Sequence, residues 1–104
     1  MALTGSYSKE TLMATITVNT NTLLTLADEV VLVDSTGGPV TVTLPAAHPV
    51  GKRYYIKDKF GTTDINQITV LATPNLLDNS ASFALTVEKQ AVLAHSGGSN
   101  WWII

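Results

Sequence analysis

Apolar and polar residues alternate with a period of two along most of the chain. Thr15-Ile16-Thr17-Val18-Asn19 follows this rhythm, and Val40-Thr41-Val42-Thr43-Leu44 places Val40, Val42 and Leu44 on one face and its threonines on the other. Both patterns predict half-buried strands. Between them, Val30-Val31-Leu32-Val33 is a continuous apolar run ending in Asp34-Ser35-Thr36-Gly37-Gly38-Pro39, a cluster of turn formers. The Val30–Val33 and Val40–Leu44 runs are therefore expected to pair as a β-hairpin. Pro45 has no amide donor and ends the second run, after which Ala46 to Gly51 reads as a loop.

Arg53-Tyr54-Tyr55-Ile56-Lys57-Asp58 resumes the alternation, with Tyr54 and Ile56 on one face and Tyr55 and Lys57 on the other. Ile65 to Leu71 predicts another strand, Thr73-Pro74-Asn75 breaks it, and Leu76-Leu77 is expected as a short edge strand before an Asp78-Asn79-Ser80 turn. Phe83, Leu85 and Val87 share a face, Glu88-Lys89-Gln90 turns, and Ala91 to Ala94 runs into His95-Ser96-Gly97-Gly98-Ser99-Asn100. The Gly37-Gly38 and Gly97-Gly98 pairs both read as hairpin glycines. Leu23 to Glu29 fits a helix or a strand, and the flanking Thr and Val favour a strand. Residues 1–13 are expected to form a flexible N-terminal arm and residues 14–104 a single all-β domain. Seven or eight short strands, about 8 to 12 residues apart, predict a compact antiparallel β-sandwich, barrel or β-prism.

Composition supports β structure, since Thr (15), Val (10) and Ile (6) make up 31 of the 104 residues, and these side chains suit a pleated strand. Charge narrows the picture further. Only 13% of residues are charged, against roughly 25% in an ordinary globular chain, so part of the exterior is expected to face another protein. A net charge of −2 argues against nucleic acid as a partner. No apolar run approaches the roughly 18 to 20 residues of a membrane-spanning helix, and Met1 to Leu12 lacks the features of an export signal. The chain has no cysteine, which removes disulfides, thiol nucleophiles and thiolate metal sites.

Candidate chemistry is sparse. His48 and His95 lack metal-ligand spacing and read as exposed or capping loop residues, and the carboxylates fall mostly at turns, where Asp bonds to nearby backbone. No cofactor or metal is expected, and the chain reads as a non-enzyme. Two features offer surface chemistry. Lys52-Arg53-Tyr54-Tyr55-Ile56-Lys57-Asp58-Lys59 holds four of the six basic residues, with Tyr55, Lys57 and Lys59 on one strand face. Asn100-Trp101-Trp102-Ile103-Ile104 ends the chain with adjacent tryptophans, which in a strand point to opposite faces, one into the core and one outward. Tyr55, Lys57, Lys59, Trp101 and Trp102 are thus the candidate contacts to a glycan or a second subunit.

Taken as a set, Val31-Leu32-Val33-Asp34, Val40-Thr41-Val42-Thr43-Leu44-Pro45, Gly51 to Asp58, Ile65-Asn66-Gln67-Ile68-Thr69-Val70 and the Asn100 to Ile104 end resemble a β-rich module of bacteriophage virion proteins. These are the tail-fibre, head-fibre and capsid-decoration proteins, and the resemblance covers roughly residues 20 to 104. One departure is the turn after Leu77, which runs Asp78-Asn79 where the module usually has Asp-Gly; Asn also tolerates positive φ, so the turn should survive. A chain of 104 residues beginning with Met1 has no room for a long fibre shaft, which favours a short, separately encoded piece. The resemblance implies a virion location, a homotrimer, contacts with other virion proteins through the N-terminal arm and, for a fibre, a host surface glycan. A receptor- or carbohydrate-binding module is the alternative function, and a polysaccharide hydrolase a remote one.

Overall fold

A computed structural model describes residues 12–104. The strands are Thr15–Val18 (β1), Thr22–Leu23 (β2), Val30–Val33 (β3), Val40–Thr43 (β4), Arg53–Asp58 (β5), Ile68–Leu71 (β6), Ser82–Leu85 (β7), Ala91–Ser96 (β8) and Trp101–Ile103 (β9). There is no helix among the described residues. Sheet A has the order β1-β3-β5-β8-β9 and sheet B the order β2-β4-β6-β7. The chain is all-β, with one hydrophobic cluster drawn from both sheets. The expected arm falls largely outside the described residues; Leu12 and Met13 at its end are exposed and carry no regular structure.

Both sheets are mixed, which corrects the antiparallel expectation. β1, β3 and β5 run parallel in sheet A, and β2, β4 and β6 run parallel in sheet B. The first six strands alternate between the sheets, so the chain winds as a coil before β7, β8 and β9 close it antiparallel to their neighbours. The expected β3–β4 hairpin does not form, because the two strands lie in different sheets. The Asp34–Pro39 connection is an arch across the core. Its Ser35 is buried, with Oγ 2.7 Å from Thr62 Oγ1, and Asn66 Nδ2 donates to the Ser35 carbonyl at 2.8 Å. These bonds draw the turn onto the 61–66 loop and away from its own strands. Gly97-Gly98, by contrast, does lie in a hairpin, closed by the Gly97 N–H donating to Asn100 O at 2.9 Å.

Alternation then fills the core. Val31, Ile56 and Val92 form one cross-strand row of sheet A, and Val40, Ile68 and Leu85 one row of sheet B, all of them buried. Tyr54 is fully buried, as its strand pattern predicts, and its hydroxyl donates to Thr25 O at 2.7 Å. Burial, with a smaller contribution from the Asp28 charge, pushes this phenol up to about 12, so it stays protonated. The strand expected over Leu23–Glu29 does not form: only Leu23 belongs to a strand, the two-residue β2, and a turn follows. Asp78 and Asn79 adopt φ of 49° and 65°, the left-handed turn expected of them.

Asp58 ends β5 inside the fold. Its Oδ1 accepts N–H groups from Gly61 (3.1 Å) and Thr62 (3.3 Å), and its Oδ2 those from Thr63 (3.2 Å) and Lys89 (3.0 Å). Burial acts to raise this carboxyl, but the donors from Lys89, Thr63, Thr62 and Gly61 outweigh it and hold it below its usual 3.8. The folded state therefore favours the carboxylate, and the stability it contributes is present above pH 3.8 and lost as pH falls through the folded value. Asp58→Asn removes the charge and one acceptor, and is expected to cost about 2 to 4 kcal/mol in urea denaturation at neutral pH. The gap between Asp58→Asn and the parent should narrow below pH 3.8.

Candidate functional site

The outward face of sheet A is the chemically richest surface among the described residues. Strand alternation turns Val30 and Leu32 of β3, Arg53, Tyr55 and Lys57 of β5, Leu93 and His95 of β8, and Trp102 of β9 to this side. Pairing aligns them, with Val30 beside Tyr55, Tyr55 beside Leu93, Arg53 beside His95 and His95 beside Trp102. Ile104 continues the Tyr55–Leu93 row, its N–H donating to Leu93 O at 3.1 Å. Tyr55 (37%), Trp102 (39%) and Ile104 (66%) remain exposed. The outward face of sheet B differs, with Thr41, Thr43, Thr69, Ser82 and Ala84 beside Leu23 and Leu71.

Several basic groups of this region are already engaged. Lys57 Nζ donates to Lys89 O. Lys59 lies beyond the end of β5, where its ammonium sits 5.3 Å from the Phe60 ring centre and 3.5 Å from Thr17 Oγ1. Thr17 is an outward residue of β1, so this ammonium reaches the same face at its β1 margin. Arg53 Nε donates to His95 Nδ1 at 3.1 Å. Lys52 Nζ donates to the carbonyls of Asp28 (2.6 Å) and Leu26 (3.0 Å) and lies 4.7 Å from the Tyr54 ring centre. At this edge of the face an open depression of about 300 Å³ is lined by Met13, Glu29, Gly51, Lys52, Arg53 and Tyr55.

Of the five candidate contacts, Tyr55, Lys57 and Trp102 share this face, and Lys59 reaches it beside Thr17 of β1. Trp101 is a correction: it is fully buried and available to neither a glycan nor a subunit. Its ring centre lies 4.1 Å from that of His48 and 5.5 Å from that of Tyr54. His48 is also a correction, since it is buried and not an exposed loop residue. Its Nδ1 bonds to Ser96 Oγ, and its Nε2 lies 3.2 Å from Asn75 Nδ2. Asn75 can only donate through that atom, so Nε2 accepts and the proton sits on Nδ1. A Ser–His–Asn cluster of this kind invites a nucleophilic reading, but Ser96 is fully buried and no substrate carbonyl can reach it. The cluster anchors Trp101 instead.

His95 stands within β8, not in a turn, and that position was readable from the alternation of Val92, Ala94 and Ser96 inward. The Arg53–Lys52–Glu29 grouping carried no such signal, because Glu29 reaches it from a separate winding. Among the described residues no three His, Cys, Asp or Glu side chains gather as a metal site. Compared with known proteins, the chain matches no family model and no curated sequence.

The two tryptophans should separate sharply in mutation. Trp101→Ala empties a fully buried site and is expected to cost about 3 to 5 kcal/mol, whereas Trp102→Ala should cost about 1 kcal/mol or less, both read by denaturant titration. His48 has its own pH signature. Burial lowers it below 6.5 against a smaller raising contribution from the Ser99 backbone, so the unfolded chain binds the proton more readily. Stability from the neutral ring is full above pH 6.5 and is lost as pH falls from there through the folded value. Thermal unfolding of His48→Gln should show a flatter slope between pH 6.5 and 5 than the parent.

Proposed function

We propose that the chain is a non-enzymatic bacteriophage virion structural protein, a homotrimeric decoration, head-fibre or short tail-fibre component on the particle surface. In this reading the two sheets form the sandwich of each protomer, and the first winding faces its neighbours. The observation that carries it is the open end of the core. β7, β8 and β9 cover one side of the coil, but β1 and β2 are edge strands with nothing paired outside them among the described residues. There Ile16 and Val18 point inward yet are only partly buried, and Leu12, Met13, Leu23 and Leu26 are exposed. Each such side chain removed from water contributes about 1.5 to 3 kcal/mol, which suits contact with further copies and with the particle. The low charge content and the similarity to phage β modules point the same way.

A second reading, a receptor- or carbohydrate-binding module of a phage fibre, is favoured by the shared exposure of Tyr55 and Trp102 on one sheet face.

Light scattering after size exclusion tests the assembly. A species of about three times 11.1 kDa is expected, and Leu23→Glu should shift it toward smaller species. A single 11.1 kDa component at micromolar concentration overturns the proposal.

A further inference from the structure

The depression beside Tyr55 brings together three chemistries from two parts of the chain. Lys52 and Arg53 supply positive charge, Glu29 a carboxylate, and Tyr55 an exposed ring. None of the polar groups is loosely placed. Lys52 is held by two backbone carbonyls. Arg53 gives its Nε–H to His95, which fixes the plane of the guanidinium, and its terminal amino groups have no partner among the described residues, so they can meet a planar anion in bidentate fashion. Glu29 accepts the Ala14 N–H through Oε1 at 3.1 Å, and its second oxygen, without a partner among the described residues, can accept from a ligand.

We infer that this depression binds a carboxylated pyranose, the residue type of an acidic surface polysaccharide. The sugar carboxylate pairs with Arg53, beside the fixed charge of Lys52. A ring hydroxyl donates to Glu29, and an apolar sugar face lies against Tyr55. A simple aliphatic acid would leave Glu29 without a donor, and a neutral sugar would leave Arg53 without an anion. The volume of about 300 Å³ sits at the lower end of small-molecule sites and suits one ring, not a long oligosaccharide. The inference rests on the carbohydrate-binding reading and adds to it the charge of the sugar and the roles of Arg53, Lys52 and Glu29.

Amide chemical-shift titration of the parent protein with methyl glucuronide and with methyl glucoside separates the two. Saturable shifts around Gly51 to Tyr55 are expected with the glucuronide, with the glucoside at least about tenfold weaker. Arg53→Gln should erase that preference, its amide spectrum elsewhere serving as the check on folding, and Tyr55→Ala should weaken both sugars. Equal binding of the two sugars, or glucuronide binding indifferent to Arg53→Gln, overturns the acidic-sugar site while the carbohydrate-binding reading survives. No shift with either sugar at tens of millimolar overturns both.

Discussion

Every strand of the first three windings sends alternate side chains into the gap between two sheets, and each following stretch must cross that gap to reach the opposite sheet. This single constraint accounts for the architecture. Val31 and Val33 enter from sheet A and Val40 and Val42 from sheet B, so the chain between them is compelled to arch. Once the odd and even strands are sorted in this way, each strand meets its successor-but-one running in the same direction, and the ladders become parallel. The coil ends only where β7 turns back beside β6, and the antiparallel strands β8 and β9 then extend sheet A. Trp101 fills the core from that closing segment, packed against Tyr54 of the last parallel strand in its sheet.

Much of this was legible residue by residue and little of it strand by strand. Period-two alternation identifies the buried face of β4, β5 and β6, and it separates Tyr54 from Tyr55 and Trp101 from Trp102, because side-chain direction is a local property; in the apolar runs of β3 and β8 both faces look alike. Pairing is not local. A run of apolar residues, a Ser/Gly turn and a second run describes a hairpin and an arch equally well, since the inward residues share one face in the first and oppose one another in the second. The chain contains both outcomes: Ser35-Thr36-Gly37-Gly38 is drawn off by Thr62 and Asn66 into an arch, whereas Ser96-Gly97-Gly98 closes on Asn100 as a hairpin. The winding also hides from a repeat search. Thr15 lies beside Val30 and Val30 beside Tyr55, steps of 15 and then 25 residues, so no period recurs.

The same logic applies to the candidate site. Tyr55 and Lys57 were visible because each is marked by residue type and strand parity, whereas the adjacent tryptophans showed that one of them faces outward without showing which. The depression next to them joins Met13, Glu29 and Lys52, which lie on loops or beyond strand ends, and only the stacking of successive windings brings them beside Arg53. His48 was misread for a related reason. An Ala-His-Pro loop looks solvent-facing until Trp101, Ser96 and Asn75, all distant in sequence, close around it.

The two edges of sheet A are treated in opposite ways, and the difference bears on what the low charge content is for. On the β9 side the chain supplies its own cover. Trp101 N–H donates to Leu76 O (2.8 Å), Asp78 N–H donates to Trp101 O (3.0 Å), and the Asp78 carboxylate takes the Ile103 N–H at 2.9 Å. The left-handed turn at Asp78 and Asn79 is what brings that cover back along the edge. On the β1 side the strand Thr15-Ile16-Thr17-Val18 has neither a charged residue nor a proline to discourage pairing. An edge left uncharged and, among the described residues, unpaired over partly buried apolar residues is a hazard in an isolated domain and an asset in an assembling one. The scarcity of charge is thus not spread evenly: Arg53, Lys57 and Asp58 belong to β5 in the middle of sheet A, while the strand at its open margin carries none.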